Sequence, residues 1–203
     1  FTSLHKEDIL ERRVTPEERS FFRKELGLAD KKIVLTIGQF IPRKGFDILI
    51  KAWSSKLDSN AQLIIVGGGD DKEYYKKLIA ENQSQNIILV GFKQKAEIFK
   101  YYKAADLFVL PTREDIWGLV INEAMACGLP VISTNMCLGA IELLDIECIV
   151  PVDDVSSLKE KIEKFIGNEA HREEQGNRNL TYIRQYTYEN VIQSHIDSIS
   201  TII

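Results

Sequence analysis

The stretch LFVLPTREDIWGLVINEAMACGLPVIST, residues 107–134, holds one complete strand–helix–strand unit. Leu107–Leu110 is a short apolar run that Pro111 stops. Gly118–Cys127 carries a helical pattern closed by Gly128, and Val131–Ser133 is a second apolar run. Strands joined by a crossover helix run parallel, and the crossover is right-handed. The same alternation continues outward. Upstream, Ile33–Ile37, Leu63–Val66 and Ile87–Val90 read as buried strands. Between them lie helical patterns over 45–56, 72–81 and 95–104, the last with Ile98, Phe99 and Tyr102 on one face. Downstream, Cys148–Val150 reads as a sixth strand, followed by helices over 156–166 and about 170–184. The fold class is therefore α/β: a doubly wound, Rossmann-like parallel sheet of about six strands with helices on both faces.

Residues 1–30 differ in texture. They hold a charged run, Glu11–Arg13, and a short helix near 16–26 whose Pro16 suits a first turn, so they read as a lead-in segment and not a core element. The binding domain then covers 31–187, and 188–203 form a C-terminal helix. At 203 residues the chain is long enough for one large domain. Its 44% hydrophobic and 28% charged residues are ordinary for a soluble protein. A net charge of −4 argues against nucleic acid as a partner. Cys127, Cys137 and Cys148 include no CxxC pair and no His at metal spacing, which fits a reducing compartment better than a zinc or disulfide framework. No apolar run approaches the ~20 residues that span a bilayer, and no signal-peptide pattern opens the chain.

Doubly wound sheets bind ligands outside the carboxyl ends of their strands, at the switch point. The loop after the first strand opens GQFIPRKG, residues 38–45. Gly38 permits close backbone approach, and Lys44 stands just ahead of a helix N-terminus, a pairing suited to a diphosphate. Arg43 and Lys44 would equally serve as solvated loop charges. The spacing is neither GxGxxG nor a Walker A loop, and Gly67–Gly69 after the second strand is a weak signal alone. On the helix over 118–127, Leu119, Val120, Ala124, Met125 and Ala126 spread around the circumference at 100° per residue, so it should be largely buried. Glu123 lies on it with no cation at i±3 or i±4. A buried, unpaired carboxylate is costly, and ribose hydroxyls would satisfy it. A solvent-facing strip of Asn122 and Glu123 is the plainer alternative. The first-turn amides, Trp117 to Val120, face the strand ends, and Gly118 keeps that approach open. Glu114 and Asp115 either cap this helix or hold sugar hydroxyls. There is no GxSxG, HExxH or Cys/His pair. His5, His171 and His195 fall away from the strand ends as surface or interface residues, while Phe46 and Trp53 read as core.

Together the blocks VLTIGQFIPRKGFDILIKAW (34–53), LIIVGGG (63–69), IILVGF (87–92), YYKAADLFVLPTREDIWGLVINEAMACGLPVI (101–132) and YTYENV (186–191) resemble the GT-B-fold retaining glycosyltransferases of family 4. The resemblance runs along nearly the whole chain. It implies one half of a GT-B fold: the C-terminal half, which binds a nucleotide diphosphate sugar. A glycan or lipid-linked acceptor would bind through an absent N-terminal half, which would also make any membrane contact.

By the same resemblance, Glu123 matches the second acid of the EX7E motif and holds the ribose. Asp115, eight residues earlier, stands where the family has Glu contacting the transferred sugar, with Glu114 competing for that role. Lys44 matches the lysine that neutralises the diphosphate. Gln39 replaces a common Arg, which alters phosphate affinity or donor preference. Gly91 and Phe92 would face the base, Ile116 to Val120 the diphosphate and sugar, and Gly38 and Gly67 would line the donor site. Lys44 and Asp115 are the implied catalytic residues. A UDP-sugar is expected over GDP- or ADP-sugars, with no metal and no other cofactor. The implied reaction is a retaining hexosyl transfer through an oxocarbenium-like transition state, with Lys44 and the helix amides stabilising charge on the β-phosphate. The implied setting is bacterial polysaccharide or lipopolysaccharide assembly, in the cytoplasm or at the inner face of the membrane. Alone, the chain should bind donor weakly and transfer little. A nucleotide-binding module without transferase activity is the alternative, and an NAD-type Rossmann domain, lacking its fingerprint, is the third reading.

Overall fold

The computed structural model describes residues 4–29 and 31–200, except the side chains of 195, 198 and 199; the side chain of His195 therefore lies outside the described residues. Six strands, β1 (Lys32–Ile37), β2 (Ala61–Val66), β3 (Ile87–Val90), β4 (Leu107–Leu110), β5 (Val131–Thr134) and β6 (Ile149–Val150), form one sheet in the order β3-β2-β1-β4-β5-β6. Every pairing is parallel. Helices cover both faces: α1 (Pro16–Glu25), α2 (Phe46–Ala52), α3 (Ser55–Asn60), α4 (Lys72–Asn82), α5 (Lys95–Ala104), α6 (Leu119–Ala126), α7 (Leu138–Leu143), α8 (Val155–Gly167), α9 (Glu169–Ile183) and α10 (Tyr188–Ser200). The winding reverses between β1 and β4, so the crevice at their carboxyl ends is the switch point. β2, β4 and β5 are buried along their whole length, as near-continuous apolar runs between two helical layers require. β3, at the edge, buries only Ile87.

Four local readings change. The pattern over 45–56 predicts one helix, and the structure has two. Trp53 is extended, the Ser54 hydroxyl accepts from Leu57 N at 3.3 Å to start α3, and Asn82 Nδ2 adds a second donor, at 2.9 Å, to the Ile50 carbonyl that Trp53 N already meets at 3.2 Å. Trp53 and Phe46 are core, as expected. α7 has no counterpart among the predicted elements. Cys148 closes a 3-10 turn, Ile146–Cys148, and not a strand. α6 is largely buried, as expected, but Leu119 on it is 43% exposed, and the full burial of Asn122 overturns the alternative of an Asn122–Glu123 solvent strip.

The segment read as a lead-in docks on the domain. α1 packs on α5 and buries none of its residues completely. Arg19 and Arg23 nonetheless reach the Asp106 carboxylate at 3.1 and 2.5 Å, and Asp106 also accepts from Ile33 N at 2.7 Å. Two guanidinium groups and an amide thus satisfy a buried carboxylate at the base of β1 and β4, where a lone charge would be costly.

Candidate functional site

The loops after β1 and β4 close on each other at the switch point. Gly45 makes this possible. Its φ is +66°, and a Cβ there would lie 2.0 Å from the Pro111 carbonyl oxygen. Beside it, Arg113 N donates to Arg43 O at 2.8 Å. The chain between, Pro42–Lys44, forms a 3-10 turn that ends on Lys44. Lys44 Nζ stands 2.5 Å from Asp115 Oδ2, with each side chain 14% exposed.

Asp115 is held from three directions. Its amide donates to Met136 O at 3.0 Å, and its carbonyl accepts from Leu138 N at 3.3 Å. Its second carboxylate oxygen, Oδ1, accepts from Gly118 N at 3.0 Å. Gly118 has φ +75°, and a Cβ there would lie 2.8 Å from Cys137 Sγ, so the tight turn into α6 needs glycine. One carboxylate therefore bridges the site lysine and the N-terminal end of α6. This corrects the expectation that all four amides from Trp117 to Val120 are open, because Asp115 occupies that of Gly118. The adjacent acid differs. Glu114 is exposed, its carboxylate has no partner among the described residues, and its carbonyl accepts from Arg43 at 2.8 Å. The structure thus brings Asp115, and not Glu114, to Lys44.

Glu123 lies one turn into α6. Burial pushes its carboxyl above the usual glutamate range, against the pull of the Tyr102 hydroxyl and the Lys95 charge. The hydroxyl donates to Oε2 at 2.8 Å. Glu123 therefore is not the unpartnered carboxylate its own helix suggests: one of its two oxygens is met from α5, and Oε1 has no partner among the described residues. Asn122 is buried because Trp117 Nε1 donates to its Oδ1 at 2.9 Å. Ile116, between the two acids' loop and helix, is 83% exposed.

At the far end, Gly91 and Phe92 follow β3 without support. No atom comes within 4 Å of a Cβ at Gly91, and Phe92 is 80% exposed. Gln39 is exposed. Gly67 serves packing. A Cβ there would meet Gly38 O at 1.8 Å, so its smallness lets the β1 and β2 loops touch. Gly38 in turn has the Phe46 ring 3.2 Å from its Cβ position. Together these residues make a shelf along the sheet edge. A concavity of about 610 Å³ lies elsewhere, lined by Lys6, Leu10, Arg184 and Asn190, and includes none of them. Among the described residues no group of three or more His, Cys, Asp or Glu side chains could hold a metal ion.

Residues 18–181 match the family model described as glycosyl transferases group 1. The chain belongs to this family. It is 32% identical over 170 residues to an uncharacterised glycosyltransferase of Methanocaldococcus jannaschii, covering 80% of this chain and 46% of that protein. It is 38% identical over 129 residues to a GDP-mannose-dependent phosphatidylinositol monomannoside mannosyltransferase of Corynebacterium glutamicum, covering 59% and 34%. The chain thus spans less than half the length of these curated relatives. Among solved structures, Anabaena HepE in complex with UDP and glucose superposes with a TM-score of 0.82 at 23% identity, over 99% of this chain and 55% of that one. The C-terminal domain of a group 1 glycosyl transferase from Francisella tularensis gives 0.80 at 19% identity, over 91% and 99%. These likenesses establish the GT-B-type fold of the domain.

Three contributors to this glycosyltransferase domain's site are silent in the sequence. Tyr102 falls there on the apolar face of α5. Thr112 follows a strand-ending proline, and its Oγ1 lies 3.0 Å from Arg43 O and 2.9 Å from Glu114 O. Arg113 looks like a solvated loop charge. Each acts through a partner 18 or more positions away in the chain, and no local pattern encodes that.

Proposed function

We propose that this chain is the C-terminal, donor-binding half of a retaining family 4 glycosyltransferase. It takes a nucleotide diphosphate sugar, UDP-linked in preference to GDP- or ADP-linked. The hexose passes to a glycan or lipid-linked acceptor carried by a separate N-terminal half. The observation that carries this reading is the Lys44–Asp115 contact of 2.5 Å across the switch point, at the mouth of the helix that bears Glu123. A cation and a helix N-terminus converge there on one anion, as a diphosphate requires.

In this mechanism the diphosphate displaces Asp115 from Lys44. Lys44 then neutralises the charge that grows on the β-phosphate as the glycosidic bond breaks, so no metal is called for. The released Asp115 turns to the hydroxyls of the transferred sugar. Glu123, with Oε2 fixed by Tyr102, offers Oε1 to the ribose. Gly91 and Phe92 face the base, and Gln39 leaves the phosphates one cation fewer than its family position usually provides. The setting is the cytoplasm, in surface polysaccharide or lipopolysaccharide assembly. Among the described residues no helix is long and apolar enough to cross a membrane, and membrane contact belongs to the other half.

Thermal shift and calorimetry against UDP, GDP, ADP and their sugars test this. A ligand at 100 times its dissociation constant stabilises by about 2.7 kcal/mol, an easily measured shift. No response to any of them, or saturable NAD binding instead, would overturn the reading. Robust sugar transfer by these 203 residues alone would overturn the division of labour between the halves.

A further inference from the structure

Arg113 occupies a junction that the donor contacts do not explain. It follows β4 and reaches three loops at once. Its guanidinium grips the Asp47 carboxylate with two bonds, NH1 to Oδ1 at 2.8 Å and NH2 to Oδ2 at 2.9 Å. NH1 also donates to Pro42 O at 2.6 Å, and Nε lies 2.7 Å from Asp153 Oδ1 in the loop after β6. Its backbone amide takes Arg43 O at 2.8 Å. The two carbonyls directly before Lys44 are therefore both held by Arg113, while Asp47 anchors the first turn of the helix directly after it. Asp153 takes φ +58°, a costly backbone for a residue other than glycine, at the point where Arg113 meets it. Three of the five guanidinium N–H groups are needed for these contacts at the least, and NH1 serves two acceptors. The side chain is spoken for, and only 29% of it is exposed.

We infer that Arg113 is a positioning residue: it clasps the Pro42–Lys44 turn so that Lys44 Nζ stands at the mouth of α6 before any anion arrives. Its planar fork suits this role, because two parallel bonds to Asp47 fix an orientation that a single ammonium group cannot. The arrangement makes the loop carrying the cation a rigid extension of the loop carrying Asp115. Without the clasp, Lys44 keeps its charge but must be ordered on binding, and that ordering weakens the contact. The inference rests on the reading of Lys44 as the diphosphate's cation.

The test is calorimetry of the chain with UDP and with uridine, and with GDP and guanosine in parallel, for Lys44→Ala, Arg113→Ala, Arg113→Lys and the Lys44→Ala/Arg113→Ala double variant. Arg113→Ala should weaken the diphosphate about tenfold and leave the nucleoside within about twofold, since Lys44 must then be ordered as it binds. Arg113→Lys should not restore it. In the Lys44→Ala background, removing Arg113 should have little further effect, because a residue acting through Lys44 has nothing left to position. Three outcomes overturn the inference: full diphosphate affinity in Arg113→Ala while Lys44→Ala loses it, rescue by lysine, or additive losses in the double variant. A Lys44→Ala chain with unchanged affinity would instead overturn the reading of Lys44, and the inference with it. Should Arg113→Ala not fold, Asp47→Asn loosens the same grip while Asp153 still pairs the guanidinium, and must lower the diphosphate-to-nucleoside affinity ratio in the same direction.

Discussion

The two ends of one sheet edge are built in opposite ways. At the β1–β4 crevice, loops interlock through Gly45 against Pro111, Arg113 against Asp47, and Lys44 against Asp115. After β3, no atom lies within 4 Å of a Cβ placed at Gly91, and Phe92 stands 80% exposed. Under the proposed function, the difference follows from what each end would bind. Charge that develops during a reaction is stabilised by dipoles and cations already in place, since reorganising them in the event would consume the gain. A flat aromatic base can be held by apolar contact with a ring and by backbone groups, which need far less preparation. On that reading, the end proposed for phosphate is encoded in side-chain contacts, and the end proposed for the base in accessible backbone.

Four measurements test that contrast. Lys44→Ala should give the largest effect, lowering UDP affinity about 30-fold with uridine within about twofold, as expected for a charge-assisted contact. Equal losses on both ligands would mean that the crevice does not read phosphate.

Glu123→Gln belongs to neither end, so it should weaken UDP and uridine alike, by about tenfold. It also has a pH signature. Burial raises the Glu123 carboxyl in the folded chain, so its ionisation costs stability as pH climbs past the ordinary glutamate value of about 4.3. The glutamine variant should melt higher than the parent at neutral pH, and the gain should vanish below that value. A gain that persists in acid would show another cause.

Asp115→Asn should raise UDP affinity about threefold, because the neutral amide no longer competes for Lys44 and the Gly118 amide. Weaker binding would sink the displacement step. Phe92→Ala should matter least, with losses under about threefold that are similar for UDP and GDP, as for a ring offering unspecific contact. A loss confined to one base would show that this end, too, is built for recognition.

Much of the fold was legible, and for identifiable reasons. The spans of β3 and β4 match their sequence patterns because Gly91 and Pro111 close uninterrupted apolar runs, and α5 matches over Lys95–Ala104. Gly128, at φ +68°, ends α6 as the pattern predicts. α7 was not legible. It buries Gly139, Ala140 and Leu143, but Leu138 and Ile141 are each 56% exposed, so apolar residues fall on both faces and its six residues show no amphipathic period. Within the site, Lys44, Asp115 and Glu123 each stand out singly. Tyr102 hides because a tyrosine on an apolar face looks like core until its hydroxyl is seen to meet a carboxylate.

Local patterns along the chain specified the alternation of strands and helices, the parallel sheet, and the strand ends on which chemistry would fall. These follow from periodicity and from the steric limits of glycine and proline, which act over a few residues. Only the tertiary structure decided which of two neighbouring acids meets Lys44, that Glu123 already has a partner, and that one arginine ties three loops together. Such pairings join positions as far apart as 43 and 113, or 102 and 123. They exist only once the sheet order has brought β1 beside β4, which is why no local pattern announces them.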